Sequence, residues 1–140
     1  MTPDPLVAAA AAAREKAFAP YSQFRVGAAV EAVDGTVIPG CNVESASYGL
    51  TMCAERVAVF AGVALGYGCF KRVAVVTDTA APTPPCGACR QVLWEFAPDA
   101  EVVIANLTGT VLRYTLRELL PHAFDAKQLA KSEHERRGVE

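Results

Sequence analysis

Three features are scarce in this chain. No apolar stretch approaches the roughly 18 residues that a membrane-spanning helix needs. Lysine and arginine number 13 against 15 acidic residues, for a net charge of -2, and they gather into no basic stripe. Duplex-binding proteins neutralise phosphates with clustered basic side chains, so a nucleic-acid partner is not expected. Nor is a targeting segment, because Leu6 to Ala13 is apolar but short and follows Asp4 rather than a basic region. Histidine occurs only twice, as His122 and His134. The five cysteines are an odd count in a chain that is 52% apolar. A disulfide scaffold is therefore not expected, and a reduced, cytoplasmic setting is.

What is present reads as one domain over residues 1–140 with enough apolar content for a core. At 20% charged residues nothing marks the chain as disordered, although the charged tail at 131–140 is expected to fray. Thr2-Pro3-Asp4-Pro5 resembles a helix start, with Asp4 as cap and Pro5 in the first turn. The alanine-rich helix that follows is expected to run to Phe18 and stop before Pro20. Val26 to Val33 and Thr36 to Val43 read as a hairpin around Asp34-Gly35, with Pro39-Gly40 marking an edge or a bulge. Helical spacing covers Cys53 to Leu65 and Cys86 to Phe96. Strands are expected at Arg72 to Thr77, Glu101 to Ala105 and Thr110 to Tyr114, and a short helix at Leu116 to Leu120. The order of elements implies a three-layer α/β/α fold around a five-stranded mixed sheet.

Two segments hold three of the cysteines: TMCAER (Thr51 to Arg56) and PPCGACRQ (Pro84 to Gln91). Cys86 and Cys89, three apart at a helix start, share one face. Cys53 opens the other helix, where the dipole and free N–H groups stabilise a thiolate. Two helix starts converging on one ion would account for these positions. Glu55 points about 200° away from Cys53 on a helix, so it is poorly placed as a fourth ligand, yet within a first turn it can reach a water. Three protein ligands plus water is the pattern of a catalytic zinc, whereas structural zinc sites are closed by four. The spacing favours a catalytic zinc over a structural zinc or inert helix-start cysteines. Cys41 and Cys69 have no partner spacing and are expected to fill the core.

C-A-E followed by P-C-x-x-C resembles the cytidine and deoxycytidine deaminase signature, in the variant with cysteine in place of the first histidine. FRVGAAV (Phe24 to Val30), GCNVESASYGLTMCAER (Gly40 to Arg56), PCGACRQVLWEF (Pro85 to Phe96) and ELLPHAF (Glu118 to Phe124) are each similar to the short members of that family. The resemblance spans about residues 5–130, and Ser45 departs from it where the family usually has Asn.

The resemblance implies hydrolytic deamination of cytidine or deoxycytidine, with one zinc on Cys53, Cys86 and Cys89. Glu55 would move protons between the attacking water, ring atom N3 and the departing amine. Asn42 and Glu44 would hold the ribose, with Glu44 accepting from the 3′-hydroxyl; without the resemblance they would read as a solvated strand edge. Phe24 would pack against the nucleoside, and Ala54 would line its site. Short members of the family are homotetramers. Ala46 and Tyr48 are accordingly expected near the sugar of a neighbouring subunit's substrate, with Phe124 over its base. Three thiolates on Zn²⁺ leave a charge of about -1, which Arg56 is expected to offset by bonding the sulfurs; Arg90 is the competing candidate. The rival readings are a structural zinc module and a deaminase of another aminated base, such as a nucleoside antibiotic, guanine or a base in RNA.

Overall fold

The computed structural model describes residues 4–129. Helix α1 runs Pro5–Arg14. The Asp4 carboxylate accepts from the Leu6 N–H at 3.0 Å, and Pro5 occupies the first turn, where a missing N–H costs nothing. Thr2 and Pro3, the remainder of the expected helix start, lie outside the described residues, as does the tail at 131–140.

The helix ends at Arg14 rather than at Phe18. The N–H groups of Glu15, Lys16 and Ala17 turn to carbonyls three residues back, which tightens the last turn. Phe18 then leaves the helix to pair with the Val43 segment: its N–H reaches Asn42 O at 3.0 Å and its carbonyl accepts from Glu44 N at 2.8 Å. Tertiary pairing thus overrides the alanine propensity.

Strands β1 (Val26–Ala32) and β2 (Val37–Cys41) form the expected hairpin. Gly35 takes the positive φ the turn requires, at 92°, and Asp34 Oδ1 accepts from Thr36 N–H at 2.9 Å. β2 is a sheet edge, which is where Pro39 can sit without breaking a ladder. The one register irregularity of this region falls on β1, between Glu31 and Ala32, not at Pro39-Gly40.

A short 3-10 turn at Tyr48–Leu50 leads into α2 (Ala54–Ala64), β3 (Phe70–Thr77), α3 (Gly87–Phe96), β4 (Glu101–Asn106), β5 (Val111–Thr115), α4 (Leu116–Leu119) and α5 (Ala126–Leu129). The 3-10 turn and α5 carry no strong periodic signal and were not expected. The sheet order is β2-β1-β3-β4-β5, with β3 and β4 parallel and the other neighbours antiparallel. α1 covers one face, burying Leu6 and Ala10 against Ala29, Ala74 and Val103. α2 and α3 cover the other, burying Ala58, Val59 and Leu93 against Val30, Val73 and Ile104. The expected three layers are therefore present.

Two glycines set how closely the layers approach. A Cβ on Gly27 would stand 1.9 Å from Ala10 O in α1, and one on Gly40 would stand 2.5 Å from Ala58 N in α2. Cys69 is exposed and Cys41 half-buried, so neither fills the core as expected. No described helix is long and apolar enough to cross a membrane.

Candidate active site

Cys53 and Cys86 each stand at the N-cap of a helix, α2 and α3, and Cys89 lies in the first turn of α3. Cys86 Sγ lies 3.9 Å from Cys53 Sγ and 3.4 Å from Cys89 Sγ, and all three sulfurs fall within 4.8 Å of one another. Tetrahedral bonds of about 2.3 Å place two ligand sulfurs about 3.8 Å apart, so the triad fits one zinc ion. Among the described residues no fourth Cys, His, Asp or Glu joins the cluster. His122 is not part of it, and His134 lies outside the described residues. One corner of a tetrahedron is therefore open to a small ligand.

Glu55 belongs to the first turn of α2 and is only 4% exposed. Burial pushes its carboxyl above the ordinary range, and the charge of the neighbouring Cys53 adds to the shift. A carboxyl raised in this way holds a proton more readily than an exposed glutamate, which suits a group that takes a proton and returns it. The Cys53 thiol is drawn down to about 5, first by the hydrogen bond from Cys89 and then by Arg56. The same bond, with burial, pushes the Cys89 thiol up, so the two sulfurs share a proton that a bound metal would displace.

The two arginines that compete for the sulfurs occupy different places. Arg56 Nη2 donates to Cys53 Sγ at 3.3 Å. Arg90 turns away: its Nε donates to Pro85 O at 2.8 Å and its Nη1 to Leu119 O at 2.9 Å. Arg90 thus ties the loop before Cys86 to the end of α4.

A cavity of about 290 Å³ opens beside the triad. Two groups line it: Cys53, Ala54, Glu55 and Cys86 about the sulfurs, and Phe24, Asn42 and Glu44 from the loops beside β1 and β2. Glu44 Oε1 accepts from the N–H groups of Tyr21 (2.9 Å) and Ser22 (3.1 Å), and Oε2 accepts from the Ser22 hydroxyl. These bonds, the hydroxyl's first, hold its carboxyl below the usual range. Asn42 is buried and works on the backbone: Oδ1 accepts from Val26 N–H at 2.8 Å and Nδ2 donates to Phe24 O at 2.7 Å.

Ala46, Tyr48 and Phe124 do not line this cavity. Ala46 and Tyr48 stand exposed, with Tyr48 edge-on to Tyr21 at 6.2 Å between ring centroids. Phe124 is 56% exposed and borders a separate groove with Phe60 and Phe96. Gln91 Nε2 holds the Phe124 carbonyl at 2.8 Å, and Trp94 Nε1 donates to Asp125 at 3.2 Å, which docks this segment on α3.

Sequence reasoning missed several cavity residues. Ser22, Thr77 and Thr83 also line the pocket. Asn106, buried at the end of β4, donates to Thr79 O and Ala80 O at 3.1 Å each and so anchors the loop that delivers Thr83 and Cys86. Hydroxyl and amide residues of this kind carry no spacing signal. The one available hint was the Pro-rich loop that follows the parallel strand β3, since ligands gather beyond the carboxyl ends of parallel strands.

Comparison with known proteins agrees with this geometry. The family described as "Cytidine and deoxycytidylate deaminase zinc-binding region" matches residues 3–106. A cytidine deaminase from Halalkalibacterium halodurans is 51% identical over 89% of this chain and 95% of its own length. One from Sporosarcina psychrophila is 47% identical over 93% and 96%. The crystal structure of cytidine deaminase from Burkholderia pseudomallei superposes with a TM-score of 0.85 at 54% identity, covering 89% of this chain and 100% of that one. With three thiols at zinc spacing and a buried glutamate beside them, the chain belongs to the cytidine and deoxycytidylate deaminase family of zinc enzymes.

Proposed function

We propose that the chain acts as a single domain that hydrolyses cytidine and 2′-deoxycytidine to uridine and 2′-deoxyuridine with release of ammonia. The observation that carries this reading is the pairing of an open three-sulfur centre with the buried carboxyl of Glu55 in one cavity of about 290 Å³. That volume is near the lower end for small-molecule sites, which suits a free nucleoside.

Cys53, Cys86 and Cys89 hold the zinc, which supplies the Lewis acidity that ionises water near neutral pH. Glu55 takes a proton from the attacking water as its oxygen bonds to C4 of the ring, and passes that proton to N3. It then carries the second proton to the exocyclic nitrogen as the C4–N bond breaks. Ammonia leaves and the C4 oxygen becomes the carbonyl of uridine, so the sum is substrate plus water. One carboxyl serves each step because it is not tied up as a ligand. Ala54 and Phe24 pack around the nucleoside, while Glu44 accepts from the ribose 3′-hydroxyl and Asn42 completes the sugar side. Arg56 offsets excess thiolate charge at the metal.

The oligomer follows from what the monomer leaves uncovered. Tyr48, Leu50, Phe60, Leu65 and Phe124 are large apolar side chains exposed in one chain. A homotetramer that covers them, with Ala46, Tyr48 and Phe124 completing a neighbour's site, accounts for both their exposure and their absence from the chain's own cavity. Such an enzyme belongs to pyrimidine salvage in the cytoplasm.

A spectrophotometric assay across cytidine, deoxycytidine, cytosine and adenosine tests the reading. Turnover of the two cytosine nucleosides, with little on the free base or adenosine, is expected. A preparation carrying one zinc per chain that turns over none of the four would favour a structural zinc module instead.

A further inference from the structure

The turn Tyr21-Ser22-Gln23-Phe24 has a conformation its composition does not demand. Gln23 lies in the left-handed region at φ 61°, although it is not glycine. Such a conformation costs free energy and persists only when its surroundings hold it. Here the surroundings are specific. The Gln23 N–H returns to Ala19 O at 3.0 Å, the Phe24 N–H donates to Ser22 Oγ at 3.0 Å, and the Phe24 carbonyl accepts from Asn42 Nδ2 at 2.7 Å. The turn therefore presents Ser22 and Phe24 to the same cavity as Glu44.

We infer that Ser22 is a positioning residue for the sugar end of the site, linking the Phe24 backbone to the Glu44 carboxylate through its hydroxyl. The inference rests on the reading that Glu44 accepts from the ribose 3′-hydroxyl. The geometry gives the reason a hydroxyl is needed. Two N–H donors on Oε1 fix the position of that oxygen, but they leave the carboxylate free to swing about it. The Ser22 hydroxyl on Oε2 removes that freedom. An ionised carboxylate can only accept, so the Ser22 proton must point at Glu44 and its lone pair toward Phe24 N–H. The chain of bonds from Phe24 to Ser22 to Glu44 has one direction, in which each bond strengthens the next. A lone pair of Oε2 remains in a fixed direction for a substrate hydroxyl.

The measurement compares kcat and KM for cytidine and for 3′-deoxycytidine in the wild type, Ser22→Ala, Ser22→Thr and Glu44→Gln. Ser22→Ala should raise KM for cytidine about tenfold, the effect of freeing a charged hydrogen-bond acceptor. It should leave KM for 3′-deoxycytidine in place, because that substrate has no 3′-hydroxyl to orient, and should alter kcat far less than KM. Ser22→Thr keeps the hydroxyl and should restore the wild-type KM. An unchanged KM for cytidine in Ser22→Ala, or an equal rise for both substrates, overturns the inference. If Glu44→Gln raises KM for cytidine while Ser22→Ala does not, the inference alone fails. If Glu44→Gln leaves that KM unchanged, the sugar-binding reading of Glu44 fails and takes the inference with it.

Discussion

Cys53 and Cys86 each stand one residue before a helix, whereas Ser22 and Glu44 meet across 22 positions of sequence, outside any strand or helix. The metal end of the cavity is positioned by regular structure. Its sulfurs sit where two helix dipoles and free N–H groups converge, and its carboxyl follows two residues later in the same first turn. The other end, proposed to take the sugar, is positioned by single hydrogen bonds of side chains to backbone and, between Ser22 and Glu44, of side chain to side chain. The contrast suggests a division of labour: the metal end bears on turnover, and the sugar end bears on which substrate is held and how tightly.

The largest effect that would test this division lies at the metal end. Glu55→Ala should lower kcat by about 10³-fold or more, because the proposed mechanism routes every proton through it. The same variant should keep one zinc per chain, measured by metal analysis, because a shuttle and not a ligand has been removed. Loss of the zinc together with activity would make Glu55 a ligand.

The next effect concerns Phe124, which lies outside its own chain's cavity. Phe124→Ala should lower kcat/KM about tenfold through loss of its proposed aromatic packing over a neighbour's base. Chains bearing Glu55→Ala and chains bearing Phe124→Ala, dissociated and reassembled together, should recover activity above the mean of the two parents. Some sites would then pair an intact Glu55 with an intact Phe124 from a neighbour. Verified exchange of subunits without recovery, or a fully active Phe124→Ala parent, would place the residue outside the site.

The smallest of the three is at Arg56. Arg56→Gln keeps a donor but removes the charge beside Cys53, and should lower kcat about fivefold, the loss of one charge-assisted hydrogen bond to a ligand. Release of zinc to a chelator should quicken in parallel. If both are unchanged, the helix dipoles alone suffice to offset the thiolates.

The same contrast explains what could be read from the chain. The metal end was legible because C-A-E and P-C-x-x-C are local spacings, and helix geometry turns local spacing into position. The five-stranded mixed sheet and the three layers followed from elements whose apolar periods are strong, but the order of the strands did not. The sugar end was legible only through a family resemblance. Nothing in the composition of Tyr21 to Phe24 announces a left-handed Gln23, and Ser22 is one of many serines until Glu44 is folded against it. Asn106 is likewise mute, since its clasp on Thr79 and Ala80 depends on β4 lying beside β3. The end of α1 was overestimated for a related reason: alanine favours a helix through Ala17, but the pairing of Phe18 with the Val43 segment exists only in three dimensions.

Gly40 carries a consequence for how this enzyme tolerates change. Edge strands are commonly permissive ground for sequence drift, and nothing about β2 alone would set it apart. Yet a single methyl group on Gly40 would meet Ala58 N at 2.5 Å and Ala54 O at 2.6 Å, both on the helix that carries Glu55. Relief requires α2 to retreat from the sheet, while Cys86 and Cys89 stay with α3. The glutamate would then drift relative to the two sulfurs, and misplacement on the scale of an ångström can cost about 10²-fold in rate. A damaging variant at Gly40 could thus leave the ligands, the carboxyl and the cavity lining untouched in sequence, and a survey of site residues alone would pass it as harmless.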